Sequence, residues 1–161
     1  MEIGTYKGLS AFILATALER NKYGHLFTID NNQSGALPEA EARFFKENLN
    51  HRITLIKKSS QDAFVEWGRA KIDFLYIDGS HLFLNACCDF ALWSRYVVRD
   101  GIIVIHDTIT RLLRRFPEDY IYPLCYYDVL NVTDVKMRPS GQEWEGCGFV
   151  TIAAGIQGDQ E

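Results

Sequence analysis

The chain predicts a single α/β domain spanning residues 1–161, a doubly wound, mostly parallel seven-stranded sheet that ends in an antiparallel strand pair. Three observations carry this. Short apolar runs rich in β-branched and aromatic residues alternate with amphipathic segments as far as about residue 108. Three of those runs end on an acid or just before one. Two late alternating stretches, 132–138 and 147–153, are joined by a loop over 139–146 and suit a closing antiparallel pair. Parallel strands need crossover connections, and the amphipathic segments supply them.

The first strand candidate covers 1–4 and runs into a turn bounded by Gly4 and Gly8, where the missing side chains let backbone approach a ligand closely. A helix over 10–20 follows, with Ala, Ile and Leu on one face. The strand over 25–30 closes on Asp30. Pro38 opens a helix over 38–48, since proline suits a first helical position, and Ala40, Phe44 and Phe45 face inward. Strands over 53–57, 74–78 and 102–106 alternate with helices over 61–69 and 82–98. Trp93 lies on the apolar face of the last helix and reads as core, whereas Trp144 sits in a loop and suits the flank of a substrate. Beyond Thr108 the pattern weakens. A short helix over 110–116 precedes Pro117 and Pro123, the aromatic stretch 120–127 has no clean period, and 155–161 reads as a frayed end.

A formal charge of −4 and 47% hydrophobic residues suit one soluble domain with its own core. No sustained basic face exists to follow a phosphate backbone, so nucleic acid is not an expected partner; Arg111, Arg114 and Arg115 read as a solvated helix face. Cys87, Cys88, Cys125 and Cys147 lack CxxC spacing, which favours reduced, mostly buried thiols in a cytoplasmic protein. No signal peptide is expected ahead of the first strand. No apolar run approaches the roughly 20 residues that span a bilayer, so no membrane partner is expected.

Ligands of parallel sheets gather beyond the carboxyl ends of the strands. Those ends carry Glu2 and Gly4, Asp30, residues 59–62, residues 78–81 and residues 106–108. Carboxylates are seldom buried unless paired or bound, so packing alone does not explain such a set. Asp30 can accept from both hydroxyls of a ribose. Asp78 and Asp107 end neighbouring strands, and without a metal they read as a hydrogen-bonded structural pair. His106 reads as packing or hydrogen bonding at the sheet end, with a direct role as base or ligand as the alternative.

Four motifs in register, Glu2-Ile-Gly-Thr-Tyr-Lys-Gly-Leu-Ser10, Ser60-Gln61-Asp62, Asp73-Phe-Leu-Tyr-Ile-Asp78-Gly-Ser-His81 and Gly101-Ile-Ile-Val-Ile-His-Asp107, resemble the class I S-adenosylmethionine-dependent methyltransferases. Within that Rossmann-like class the resemblance is to the catechol O-methyltransferase type and to the small-molecule enzymes of the macrocin and cephalosporin-tailoring kind. It covers residues 1 to about 108.

The resemblance implies O-methylation of a small hydroxylated molecule. It places Glu2 and Gly4 at the methionine end of the cofactor, Tyr6 and Ser10 beside it, Asp30 on the ribose, and Ser60 and Gln61 along the adenine. Ser60 also reads as a helix N-cap. Asp78 borders the cofactor and takes part in catalysis. A Mg2+ ion held by Asp78, Asp107 and Thr108 would bind both oxygens of a vicinal diol, with Thr108 standing where the metal-dependent branch has Asn. His81 stands where the catechol enzymes have a lysine that accepts the hydroxyl proton, and histidine can do that near neutral pH.

Related enzymes carry helices ahead of the first strand, and the chain opens inside that strand. A fragment, a covering partner subunit or a lidless form is therefore expected, and an apolar flank left bare at Met1 suggests a homo-oligomer. The competing reading is a non-catalytic S-adenosylmethionine-binding fragment or subunit. An NAD-dependent oxidoreductase is disfavoured, because the first turn lacks G-x-G-x-x-G spacing.

Overall fold

A computed structural model describes residues 1–68 and 70–106, together with the backbone of 134–139 and 146–151. The chain divides into two compact units, Met1–Trp67 and Gly68–Glu161. Each is α/β, with parallel strands joined through helices, and the architecture is Rossmann-like.

The first unit alternates β1 (Glu2–Ile3), α1 (Leu9–Asn21), β2 (Leu26–Ile29), α2 (Leu37–Lys46), β3 (Ile53–Ile56) and α3 (Ser60–Glu66). β2 runs parallel to both other strands, with Ile29 opposite Ile3 on one side and opposite Ile56 on the other. All three carboxyl ends therefore meet one edge. Ala11 and Ala15 of α1 pack with Leu26, Ala40, Phe44, Leu49 and Ile53 to form the core of the unit. Gly8 caps α1 in the left-handed region at φ 72°, and a Cβ there would lie 2.8 Å from the Phe44 ring and 2.9 Å from Ala40 Cβ. Only glycine fits that contact.

Two expectations for this unit are corrected. Phe45 is 79% exposed, because Ala40 and Phe44 stand four residues apart on the inward face and Phe45 points about 100° away from Phe44. Met1 is buried with Ile3, so it leaves no bare flank.

The C-terminal turn of α1 is tied to a 3-10 turn at Asn50–Arg52 through Glu19. Its carboxylate accepts from Arg52 Nε at 2.8 Å, lies 3.0 Å from His51 Nε2, and accepts from Lys22. Hydrogen bonds from Lys22, then Arg52, then His51 hold the Glu19 carboxyl down at about 2.

The second unit holds β4 (Ile72–Ile77), α4 (Phe83–Trp93), β5 (Val97–Ile105), β6 (Asp134–Pro139) and β7 (Gly146–Thr151). β4 and β5 are parallel, β7 is antiparallel to β5, and β6 is antiparallel to β7. The helix expected over 82–98 ends at Trp93, which corrects that boundary. Ser94–Tyr96 form a 3-10 turn, and the β-branched Val97 instead pairs with Ile72. Between the pairs Ile72–Val97 and Phe74–Ile102, β4 advances two residues and β5 five. The extra length bulges at Arg99 and Asp100, both exposed, with Asp100 left-handed at φ 63°. Trp93 is wholly buried, as its helix face requires.

Cys87 is buried but its neighbour Cys88 is exposed, since adjacent helical positions point about 100° apart. Thus only one of this pair fits the expectation of buried thiols. The expectations for Arg111, Arg114, Arg115, 110–116, 120–127, Cys125, Trp144 and 155–161 lie outside the described residues, as does the Cys147 side chain. Among the described residues no helix is long and apolar enough to cross a membrane.

Candidate functional site

The turn between β1 and α1 contains three left-handed residues, Gly4 at φ 96°, Tyr6 at φ 47° and Gly8 at φ 72°. Glycine adopts that region freely, whereas tyrosine does so at a cost that its surroundings must meet. Asp30 meets it. The backbone N–H groups of Tyr6 and Thr5 donate to Asp30 Oδ2 at 2.9 and 3.1 Å. Asn32 N–H donates to Oδ1 at 2.7 Å. A carboxylate offers about four lone-pair sites, so about one acceptor position remains for a ligand. The acid expected on a ribose is thus already the clamp on the glycine turn.

Behind the turn lies a buried polar chain. Thr28 hydroxyl donates to Glu2 Oε2, and Thr5 Oγ1 lies 2.6 Å from Thr28 Oγ1. With the Thr28 proton committed to Glu2, Thr5 is the donor to Thr28. Glu2 and Thr28 are 0% exposed and Thr5 is 2% exposed. Glu2 therefore presents no surface to a ligand in this conformation.

The other cofactor candidates of this unit sit in first turns of helices. Ser10 is half-buried in α1, and Ser60 is half-buried and Gln61 exposed in α3. The N-cap of α3 is Ser59 and not Ser60. Its hydroxyl accepts the Asp62 N–H at 3.1 Å and donates to the Asp62 carboxylate at 2.6 Å. A serine with an acid three residues later is a capping signal that the sequence carries at Ser59-Ser60-Gln61-Asp62. Parallel register brings these helix starts to the edge that also holds the turn and Asp30.

In the second unit, Asp78 and His106 directly follow β4 and β5, and His106 N–H donates to Ile77 O at 2.9 Å to align the two ends. Asp78 Oδ1 lies 3.1 Å from His106 Nδ1 and 3.4 Å from His81 Nε2, while Tyr76 hydroxyl donates to Asp78 Oδ2 at 3.3 Å. One ligand atom from each of Asp78, His81 and His106 falls within 4.8 Å of the others. Burial pushes the Asp78 carboxyl up. Hydrogen bonds from His106 and His81, and their charges, outweigh it and hold the group below its usual value. His106, expected as a sheet-end residue, is a full member of this cluster. The signal is its place one residue past a strand that neighbours the strand Asp78 directly follows. Asp107 and Thr108 lie outside the described residues.

A family model described as a methyltransferase domain matches residues 1–108. The fold is similar to that of TomG, an O-methyltransferase of Streptomyces achromogenes involved in tomaymycin synthesis and solved with S-adenosylmethionine. The TM-score is 0.73 at 18% identity, over 95% of this chain and 72% of that one. It is equally similar to an O-methyltransferase of Bacillus cereus solved with S-adenosylhomocysteine, with a TM-score of 0.74 at 18% identity over 94% and 72% of the two chains. At such identities the likeness is one of fold. An uncharacterised Sinorhizobium fredii protein, y4gI, is 24% identical over 123 residues, which are 69% of this chain and 13% of that protein. The chain thus spans a small part of that relative.

Proposed function

Since the chain belongs to the methyltransferase domain family, we propose that it transfers a methyl group from S-adenosylmethionine to a hydroxyl of a small molecule. The observation that carries this is the edge of the first unit, where the glycine turn, Asp30 and the first turn of α3 meet at three parallel strand ends. The residues fit the cofactor. Asp30 keeps about one acceptor position for a ribose hydroxyl, Gln61 exposes an amide with both donor and acceptor, and Ser10 stands where α1 turns its N–H groups toward a carboxylate. Gly4 and Tyr6 shape the turn, and Ser60 lies beside Gln61. Glu2 acts from behind through Thr28 and Thr5, holding the turn in position.

When bound, the cofactor would supply a sulfonium methyl for in-line attack by a substrate oxygen, with S-adenosylhomocysteine as the leaving thioether. His81 accepts the hydroxyl proton, and Asp78, 3.4 Å from its Nε2, stabilises the imidazolium that results. Of the magnesium ligands that the resemblance implies, Asp78 lies among the described residues, and Asp107 and Thr108 lie outside them. No step is assigned to the ion. The family match runs without interruption from residues of the first unit into those of the second, which supports one methyltransferase domain.

Calorimetric titration of the chain with S-adenosylhomocysteine tests the first half of this reading. Binding is expected, with Asp30→Ala and Gln61→Ala each weakening it at least tenfold; no binding at near-millimolar ligand would defeat it. Incubation with labelled S-adenosylmethionine and a panel of catechols and sugars tests the second half. Binding without transfer would leave a cofactor-binding module instead.

A further inference from the structure

We propose that Asp78, His81 and His106 form a binding site for a first-row transition ion of the zinc class. Three observations carry this, and none depends on methyl transfer.

The first is spacing. Two ligands each about 2.1 Å from a shared ion and roughly 90–110° apart stand about 3.0–3.4 Å from one another. Asp78 Oδ1 stands 3.1 Å from His106 Nδ1 and 3.4 Å from His81 Nε2. Both gaps are the edge lengths of a coordination shell, and all three ligand atoms fit within 4.8 Å.

The second is donor chemistry. Two imidazoles and one carboxylate suit zinc, cobalt, nickel or iron, whereas magnesium retains its waters and takes oxygen ligands. The third is the support behind the ligands. Tyr76 hydroxyl donates to Asp78 Oδ2 and so turns Oδ1 toward the imidazoles, while the His106 backbone is pinned to Ile77 O at 2.9 Å. Outer partners of this kind orient ligands. The side chains of Asp78, His81 and His106 remain 26, 44 and 23% exposed, so an ion can enter and water can complete its shell.

Occupation by a metal uses the His81 Nε2 that faces Asp78. Accordingly, the proton-accepting role assigned to His81 belongs to the metal-free protein, and a bound ion would replace it.

The untagged full chain, stripped with chelator and dialysed, is titrated separately with ZnCl2, CoCl2 and MgCl2. Bound metal is counted by mass spectrometry, and cobalt is followed by its visible d–d bands. Expected are one zinc or cobalt per chain, at least 100-fold tighter than magnesium, and at least tenfold weakening in both His81→Ala and His106→Gln. Because His81 is exposed, its variant should keep the wild-type circular dichroism, so the test survives even if His106→Gln misfolds. Cys88→Ser, which removes an exposed thiol able to hold zinc, should bind as the parent does.

Magnesium binding as tight as zinc, retained affinity in folded His81→Ala, or loss of the ion in Cys88→Ser would each overturn the proposal. Titration of the same stripped protein with S-adenosylhomocysteine reads the methyltransferase assignment separately, so either can fail while the other stands.

Discussion

Asp30 Oδ2 holds the backbone N–H of Tyr6 at 2.9 Å, and through that contact the end of β2 sets the shape of the turn that follows β1. Tyr6 stays left-handed at φ 47° because its amide is fixed there. Asp30→Ala should therefore lower stability by about 1.5–3 kcal/mol, the range for hydrogen bonds to a charged group, and weaken S-adenosylhomocysteine at least tenfold. Tyr6→Gly removes the conformational penalty, worth about 1–2 kcal/mol, but adds chain entropy of about 0.5–1 kcal/mol, so it should be neutral or slightly stabilising. Urea titration of both variants and their double mutant reads the coupling. Equal losses from Asp30→Ala in the parent chain and in the Tyr6→Gly variant would show that the clamp does not act on that torsion.

Thr28→Val should cost about 1–3 kcal/mol while leaving the fold intact. The hydroxyl it removes is the donor to a wholly buried carboxylate and the acceptor for Thr5, so both neighbours lose a partner out of reach of water. A lowered urea midpoint at unchanged slope is the expected signature. An unchanged midpoint would refute the buried relay.

Gly8→Ala should be costlier, at about 2–5 kcal/mol. The new methyl meets the Phe44 ring at 2.8 Å and Ala40 at 2.9 Å, and it must also accept φ 72°. Thermal unfolding checks this. Phe44→Leu in the same chain should recover part of the loss if the clash dominates, and none if the torsion does.

Stability should also fall in acid through Glu19. Its folded value of about 2 lies below the ordinary 4.5, so its contribution is complete above about pH 4.5 and is lost as pH drops toward 2. Glu19→Gln should flatten the stability profile in that window and leave neutral-pH binding of S-adenosylhomocysteine unchanged. Denaturant midpoints measured between pH 2 and 6 on both proteins decide it. Because Glu19 is solvent-screened, the difference should shrink at high salt.

The alternation of apolar runs with amphipathic segments is readable one residue at a time, and so is the parallel order it requires. Strand starts and ends fall within two residues of expectation except the start of β5, at Val97 and not Ile102, since β-branched runs and turn residues report backbone preference locally. The C-terminal boundary of α4 does not. Val97 and Val98 continue an apolar stretch, and whether they extend a helix or begin a strand depends on Ile72, some 25 residues away. Phe45 departs from expectation for a related reason, because two adjacent aromatics cannot both face one core and only packing on Ala11 and Ala15 selects Phe44.

The site divides in the same way. That Gly4, Asp30, Gln61, Asp78 and His81 stand beyond strand ends is legible, because such placement needs order and not distance. Distance decides the rest. Glu2 reads as a ligand contact but lies sealed behind Thr28 and Thr5, while Asp30 spends most of its acceptor capacity on the turn. His106 joins Asp78 and His81 only because β4 and β5 end side by side, with Ile77 opposite Ile105. Chain order alone therefore specified which chemistry reaches each edge, through local propensity and periodicity. Which groups touch one another, and which are left to meet a ligand, followed from contacts between residues far apart in the chain, and those are set by packing and register.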